Sequence, residues 1–565
     1  MKKDLVKKIA FSAIIGSIIT FIMFYFALPA INGYDPKFWI FMFFVVLAYA
    51  VPYALAGRGF KFLFVNFKVK FEKTGSQTKK EKNKKSTPVI IFICIMGFIA
   101  AVLIVGTLMS STMLNAKKYA SIITVNEAVF SEDMQEKEEI KNIALMDTES
   151  ARKRGDRTLA SLADVVSQFV AGENYTQINY HGLPKKVTSL EYADFFRWVN
   201  NSGVGIPGYI MVDPVNNDAE YVKLSTPIKY VESGYFSDDL YRKLRFDYPT
   251  KIFDFVSYEI DEEGTPYYIV SCVKPKIFPF GGYDVNEIII FDPCTGNSTL
   301  YPVSEAPSWI DTAYSGDLAM EKYNWYGTLS GGFINSIIGN KGCKITTDDY
   351  GYITIEDDVW YFTGVTSVTS DRSNIGFILT NARTGEYKYY SVGGAEEHTA
   401  MEAAEGEVAD MGYTASFPSL VNIEGEATYI MVLKDDSGIV KLYALVNVEE
   451  YTVGIATGKT QDEVMRAYKA RLIEEGIITQ NEEPKPEAPQ NLTAEFTIDI
   501  IKNAVISGES VVYFKSDDGI VYRGVVGDNE MLIWLVTGDK IKVEYTENEI
   551  DGQTIRNIVS FEKIS

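Results

Sequence analysis

Three long apolar runs near the amino terminus constrain this chain more than any other feature of its sequence. They cover residues 9–31, 38–56 and 88–114. Each is long enough to cross about 30 Å of hydrocarbon at about 1.5 Å of rise per residue. None has the polar face that an amphipathic core helix would show. We therefore expect residues 1–114 to form an anchor of three transmembrane helices.

The first run could instead be a cleaved signal peptide. Four lysines precede it, and Ala27-Leu28-Pro29-Ala30 would suit a signal peptidase. The run is, however, longer than the about 7–15 residues of a typical signal-peptide core. We expect an uncleaved anchor.

Charge is distributed very unevenly along the chain. Residues 1–114 carry fifteen Lys and Arg against four Asp and Glu, whereas the whole chain has a net charge of −21. The remaining residues therefore carry −32. Cytoplasmic loops are enriched in Lys and Arg, and the positive residues lie in the amino-terminal tail and in the basic loop 58–87. This predicts a plasma-membrane protein with a cytoplasmic amino terminus and a large carboxy-terminal part outside, although Lys117 and Lys118 weakly oppose that orientation.

The basic loop 58–87 allows two interpretations. It is a topology determinant, or it adsorbs onto an anionic inner leaflet. The phenylalanines that interleave with its lysines would suit adsorption, namely Phe60, Phe62, Phe64, Phe67 and Phe71. We nevertheless prefer the first interpretation, a topology determinant whose lysine side chains snorkel to the interface.

The composition of the outer part excludes some functions. Its negative charge would repel nucleic acid, whose backbone is also negative. Cys94 lies in the third apolar run, which leaves Cys272, Cys294 and Cys343 outside. One disulfide is possible, but the spacing fits no zinc ribbon. A bacterial envelope is the natural setting, and a length of about 450 residues predicts three or more domains.

Residues 115–250 are predicted to be a mixed α+β region close to the membrane. Apolar residues at helical spacing predict a helix over 156–170. Thr188-Ser-Leu-Glu191 reads as a capping box that opens a second helix, ending near residue 201. A strand is expected at 209–212 and a helix at about 237–244.

Residues 251–479 contain a pattern that occurs three times. Each copy reads as strand, strand, tight turn and strand, followed by a helical stretch. The copies are 267–273, 287–296 and 298–301; 359–365, 376–385 and 386–390; and, more loosely, 428–433, 442–447 and 451–453. Thr-Gly at the turn tolerates a positive φ, and the Asp or Asn before it can bond the turn backbone. Antiparallel sheets are therefore predicted, with helices at 395–407 and from the capping box Thr460-Gln-Asp-Glu463 to Gly476.

The turn motif followed by a helix resembles the PepSY type of module found outside bacterial membranes. The resemblance rests on Asp292-Pro-Cys-Thr-Gly296 and Asn381-Ala-Arg-Thr-Gly385, and it covers about a quarter of the chain. The third copy departs from it, with Val448-Glu449-Glu450 at the turn. The resemblance implies a sensing or protein-inhibiting role rather than catalysis.

Residues 480–492 are Pro-rich and acidic, which predicts a linker. Residues 493–565 are predicted to form a small barrel of the OB type from five strands. The first strand is long and bends at Ser507-Gly508, and the others cover 520–526, 531–536, 540–545 and 554–562. Because this segment has seven Lys and Arg against thirteen Asp and Glu, a protein-binding or assembly barrel is favoured over an oligonucleotide-binding one.

Few residues are candidates for chemistry. His181 and His398 are the two histidines, and His398 could pair with Glu402 on one helix face. Acidic clusters at 213–220, 261–263, 348–349 and 356–358 could hold Ca²⁺, but none has EF-hand spacing. Ser330-Gly331-Gly332 lacks the Lys and Ser/Thr of a P-loop. We therefore assign no catalytic, cofactor-binding or metal-binding residue, although paired carboxylates suited to glycoside cleavage remain open.

Three functional hypotheses follow. The first is a non-enzymatic membrane-anchored scaffold or assembly protein of the outer envelope face, self-associating into a homo-oligomer in the lipid bilayer. The second is a PepSY-like sensor or inhibitor of an envelope enzyme, with that second protein as partner. The third is a membrane-tethered hydrolase of envelope polysaccharide.

Overall fold

The computed structural model describes residues 2–56, 87–137, 143–368, 373–479, 492–506, 509–527, 529–550 and 553–564. They form two compact units, Met1–Ile478 and Thr479–Ser565. Apart from Thr87 and Leu492, the predicted basic loop and the predicted linker lie outside the described residues, as does the predicted bend at Ser507-Gly508.

Three apolar helices open the first unit, as predicted. They are α1 (Lys2–Ala27), α2 (Pro36–Leu55) and α3 (Thr87–Met109). By length and composition all three could cross a membrane. Asp35 caps α2 by accepting a hydrogen bond from the Lys37 amide at 2.8 Å, and Pro36 suits the first helical position.

The next region differs from its prediction in two helices. Its elements are α4 (Thr112–Ala120), β1 (Val125–Ala128), α5 (Phe130–Asp133), α6 (Thr148–Ala160), α7 (Ala163–Val166), β2 (Phe169–Ala171), β3 (Thr176–Tyr180), β4 (Leu183–Tyr192), α8 (Phe195–Asn201), β5 (Ile206–Asp213), β6 (Asp218–Ile228) and α9 (Leu240–Asp247). The predicted helix 156–170 is wrong in extent, because α6 begins earlier, capped by Asp147, and ends at Ala160. The predicted strand at 209–212 is confirmed as part of β5.

The predicted helix from Thr188 to about residue 201 is confirmed only in its last part, which is α8 (Phe195–Asn201), because residues 188–192 belong to the central strand β4. It pairs with β2, β3 and β5, and its Leu190 side chain is buried. Glu191, taken as the capping glutamate, instead accepts hydrogen bonds from the Ser189 hydroxyl and from Ser233. Strand pairing therefore overrides the local helix signal. We call β2–β6 the first sheet.

Three further large sheets and one two-stranded sheet follow. The elements are β7 (Ile252–Ile260), β8 (Pro266–Ile277), β9 (Gly281–Phe291), β10 (Ser298–Pro302), α10 (Gly316–Leu329), β11 (Lys344–Thr346), β12 (Gly351–Ile355), β13 (Asp358–Ser367), β14 (Ser373–Asn374), β15 (Gly376–Asn381), β16 (Tyr387–Tyr390), β17 (Gly394–Ala395), α11 (Glu397–Glu407), β18 (Thr414–Ala415), β19 (Ser419–Ile423), β20 (Glu426–Lys434), β21 (Val440–Asn447), β22 (Ile455–Gly458) and α12 (Gln461–Glu474).

The large sheets follow one another along the chain except that β1 belongs to the third sheet, and β14 and β17 form the two-stranded sheet. The second sheet has the order β10-β9-β8-β7, and the third is β1-β16-β15-β13-β11, with β12 on β13. The fourth is β18-β20-β21-β22, with β19 on β20. The third and fourth sheets bury a shared core that includes Phe362, Phe377, Tyr429 and Met431.

The predicted turns are present in the first two copies of the pattern. Gly296 and Gly385 have φ of 78° and 72°. The Asp292 carboxylate accepts a hydrogen bond from the Cys294 amide at 2.8 Å, and the Asn381 side chain accepts one from the Thr384 amide at 2.8 Å. In the third copy, the strand predicted at 451–453 is wrong, because it begins only at Ile455. The helix from Thr460 is confirmed, with Thr460 accepting from the Glu463 amide.

The second unit is a closed five-stranded barrel. Its strands are β23 (Leu492–Ile506), β24 (Glu509–Ser516), β25 (Val521–Val525), β26 (Lys540–Ile550) and β27 (Gln553–Lys563), in the order β23-β24-β25-β27-β26. β25 and β27 are parallel, whereas the other pairs are antiparallel. The strand predicted at 531–536 is wrong, because a 3₁₀ helix, Glu530–Trp534, occupies this segment.

Candidate functional site

A pocket of about 480 Å³ lies where the first, third and fourth sheets meet. We call it the junction pocket. Its wall is half apolar and half polar, and it is formed by residues 144–149, Gln177 and Lys186, residues 349–352 and residues 417–419. Segments far apart in sequence therefore converge on one cavity, as they do at many ligand sites.

Lys186 is the most unusual side chain of the junction pocket. It lies on β4 and is only 3% exposed. Its Nζ donates to the Thr148 hydroxyl at 3.3 Å and lies 5.0 Å from the centre of the Tyr352 ring. Burial lowers the pKa of Lys186 to about 8, and the nearby charge of Asp147 offsets this only in part. An ammonium group has three protons to donate, so this one retains capacity for an acceptor in the pocket.

Asp147 and Glu149, the acidic residues of the 144–149 segment, each have a cationic partner other than Lys186. Asp147 accepts from Lys434 Nζ at 2.6 Å and from the Ser150 amide at 2.7 Å. Burial alone would raise the pKa of Asp147, but the hydrogen bond and charge of Lys434 hold it below its usual value. Glu149 pairs with Lys153 at 2.7 Å. Lys186 therefore makes no ion pair within 4 Å among the residues that the structure describes.

His398 lies at the rim of the junction pocket. Its Nε2 is 3.4 Å from a carboxylate oxygen of Asp349, and its ring centre is 6.3 Å from that of Phe417. Both of those residues line the pocket. Asp349 is a carboxylate partner of His398 that the sequence analysis did not name.

Lys186 itself was missed by the sequence analysis. A strand assignment for 183–192 would have placed Lys186 and Thr188 on one face, two residues apart. Because Thr188–Glu191 fits a capping box, the segment was predicted to be a helix and the alternation of its side chains between two strand faces was not used.

The other candidate residues are dispersed. His181 is a loop residue with φ of 54°, and its Nδ1 is 3.2 Å from Glu262. Asp213 pairs with Lys185 at 2.7 Å, and Asp358 pairs with Arg383. Within the described residues, no group of three or more His, Cys, Asp or Glu side chains is placed to hold a metal ion. All four cysteines carry free thiols.

One pair of buried carboxyl groups lies at the second sheet. Glu259, fully buried, accepts hydrogen bonds from the amides of Asp311 and Thr312 at 2.9 and 3.1 Å. Asp311 accepts one from the Asn179 amide at 2.8 Å. Burial raises the pKa of both groups, that of Glu259 to about 7. Because both groups are buried and three of their four oxygens accept backbone amide hydrogens, the pair holds residues 311 and 312 against β7 and β3.

No protein-family model matches this sequence, and a search of curated proteins finds no similar protein.

Proposed function

We propose that this chain is a non-enzymatic, membrane-anchored scaffold of the outer envelope face that assembles into a homo-oligomer. The three apolar helices serve as the anchor, with the amino terminus in the cytoplasm. The PepSY-like sheets and the OB-like barrel lie outside and make protein contacts.

The observation that carries this proposal is an apolar surface on the barrel. Four side chains of the segment 531–536 are more than half exposed: Met531, Ile533, Trp534 and Val536. Trp534 alone is 71% exposed. Exposed apolar clusters of this kind mark protein interfaces, and tryptophan is enriched among the residues that dominate binding energy. We name this surface the barrel contact surface and assign it to a second copy of the chain.

The barrel topology also supports a binding role. The strand order with a parallel closing pair, and a short helix before the fourth strand, is that expected of an OB-type barrel. The excess of Asp and Glu over Lys and Arg in this unit favours a protein partner over a nucleic acid.

The test is the mass of the full-length protein purified in detergent, measured by mass photometry over a dilution series. We expect a discrete multiple of 63.3 kDa. Ile533→Ser with Trp534→Ser should release monomers, whereas Val559→Ser, which alters a residue 52% exposed on β27, should not. A monomeric native particle would refute the scaffold proposal.

A second candidate, a PepSY-like sensor or inhibitor of an envelope enzyme, is favoured by the junction pocket. A buried ammonium beside Tyr352 and Phe417 suits a small carboxylate attached to an apolar body. A ligand there would contact three sheets at once, and could thereby couple its binding to their packing. This candidate predicts that a different protein co-purifies at a fixed ratio.

Benzoate and benzamide provide a matched pair of probes for the sensor candidate. Both fit an apolar cavity, but only benzoate carries a charge. Calorimetry on the full-length protein should detect benzoate binding that Lys186→Met abolishes and Lys185→Met retains. Equal binding of the two probes, or none, would count against a carboxylate sensor.

A further inference from the structure

A ridge of aromatic side chains, all exposed except the half-buried Trp198, lies beside the carboxy-terminal end of α1. We call Phe195, Phe196, Trp198, Tyr235, Phe236 and Phe246 the aromatic ridge. Phe196, Phe236 and Phe246 are 70%, 56% and 51% exposed. Five of the rings form one cluster, with centroids 5.0 Å apart for Phe195 and Tyr235 and 5.6 Å apart for Trp198 and Phe236, whereas the ring of Phe246 contacts Phe24. This is a continuous apolar surface rather than a set of isolated side chains.

Contacts with α1 fix the level of the ridge relative to the anchor. The Arg242 guanidinium lies 4.2 Å from the centre of the Tyr25 ring and donates to the Phe236 carbonyl at 2.6 Å. Phe246 meets Phe24 edge to face, with centroids 5.8 Å apart. Phe24 and Tyr25 belong to the last turn of the apolar span Val6–Ala27. The ridge therefore lies level with the outer end of that span.

The backbone conformation of Phe236 indicates that the exposure of the Phe236 side chain has a function. Its φ is 52°, in the left-handed region that bulky residues rarely adopt. Such a conformation costs on the order of 1–3 kcal/mol and persists where surrounding contacts enforce it. Here the hydrogen bond from Arg242 holds the carbonyl. The chain thus accepts strain to keep an aromatic side chain at the surface beside the anchor.

We infer that the aromatic ridge inserts into the outer leaflet of the membrane, at the boundary between headgroups and acyl chains. This inference rests on the proposed role of α1–α3 as a transmembrane anchor. Aromatic side chains are enriched at that boundary, where an apolar ring and a polar group can both be satisfied. Trp198 fits this, since its indole N–H donates to Asp238 at 3.3 Å while its ring packs in the ridge. The ridge gives the outer part a second attachment to the bilayer, beside the helices.

Depth-dependent fluorescence quenching tests this inference on the full chain. A cysteine is introduced by Phe196→Cys in a background carrying Cys94→Ser and Cys294→Ser, and is labelled with the fluorophore NBD. The protein is placed in phosphatidylcholine nanodiscs containing lipids with a nitroxide near the headgroup. Phe21→Cys, at a residue 63% exposed within the apolar span, is the positive control. Met411→Cys, 57% exposed after α11, is the negative control.

We expect strong quenching at positions 21 and 196 and little at position 411. Phe236→Cys should behave like Phe196→Cys, which guards against a local effect of one label. Quenching at position 21 but not at 196 or 236 would overturn the inference and leave the anchor intact. A lack of quenching at position 21 would refute the anchor, and the inference with it.

Discussion

The Arg245 side chain donates its Nε hydrogen to the backbone carbonyl of Leu28 at 2.9 Å, across 217 positions of sequence. Leu28 immediately follows α1, whose final carbonyls have no partner within the helix. Arg245 also donates to the carbonyls of Tyr248 and Lys251, at 3.2 and 2.7 Å, and is 6% exposed. One buried guanidinium therefore joins the end of the first apolar helix to the sheet-rich part of the same unit.

Substitution of Arg245 by methionine should weaken the contact between the end of α1 and the sheet-rich part of the first unit. It would leave three carbonyl groups without their charged donor, so we expect the free energy of unfolding to fall by about 3 kcal/mol. Hydrogen–deuterium exchange should rise first at Ile31, whose amide donates to the Pro249 carbonyl at 2.7 Å. Arg152→Met, which breaks only an exposed pair with Glu173, is the control. Equal exchange in the two variants would contradict the role of Arg245.

Lys186→Met should stabilise the protein at neutral pH. Burial lowers the pKa of Lys186 to about 8, so below pH 8 the folded protein carries the cost of a buried charge. We expect a gain on the order of 2 kcal/mol at pH 7, shrinking as pH rises from 8 to 10.5, where the unfolded side chain also loses its proton. Urea unfolding at pH 7 and pH 10 measures this. A gain that is independent of pH would indicate improved packing instead.

Glu397→Gln should remove a component of the pH dependence of stability. Burial raises the pKa of Glu397 to about 7, although hydrogen bonds from the Gly364 amide and the Thr347 hydroxyl counteract it. The folded state thus binds this proton more tightly than the unfolded state, so stability falls as pH rises from 4.5 to 7.

The contribution of Glu397 should reach about 2–3 kcal/mol. The difference in unfolding free energy between wild type and Glu397→Gln, measured from pH 4.5 to 8, isolates it. Glu407→Gln alters an exposed residue of the same helix and should show no such difference. A flat difference for Glu397→Gln would show that its carboxyl is ionised throughout.

Phe514→Ala should unfold the barrel and leave the first unit folded. Phe514 is fully buried in a core of nine buried residues, and loss of a buried phenylalanine costs about 3–5 kcal/mol. A barrel of this size has little stability to spare. Hydrogen exchange on the full chain should show loss of protection in β23–β27 and retention in β20 and β21. Val521→Ala, at a residue 46% exposed, should change neither.

Local signals account for the parts of the fold that were predicted from sequence. The apolar runs, the Thr-Gly turns at Gly296 and Gly385, and the cap at Thr460 each act within a few residues, so they can be read without tertiary structure. The predictions fail where strand pairing between distant segments determines the secondary structure. Thr188–Glu191 fits a capping box and a central strand equally well, and only the neighbouring strands select the strand.

The junction pocket could not be predicted from the sequence, for a related reason. The burial of Lys186 results from segments near residues 148, 352 and 417, which belong to the start of α6, to the third sheet and to the connection between β18 and β19. The lowered pKa of Lys186 depends on the packing of these distant segments, so no pattern in the neighbouring sequence indicates it. On the barrel, Trp534 is apolar like a strand residue, yet the 3₁₀ helix leaves it at the surface.

The pairing of β1 with β16 at the edge of the third sheet determines when this sheet can be completed during synthesis. β1 follows the third apolar helix and runs parallel to β16, and the Tyr390 hydroxyl donates to Asp133 at 3.0 Å across 257 positions. At about 5–20 residues per second, a ribosome would reach β16 roughly 13–50 s after β1. During that interval the emerging β1 has no partner strand. Completion of this sheet must therefore wait for the synthesis of residues 129–390, and a chain stalled before residue 387 would leave β1 without this partner strand.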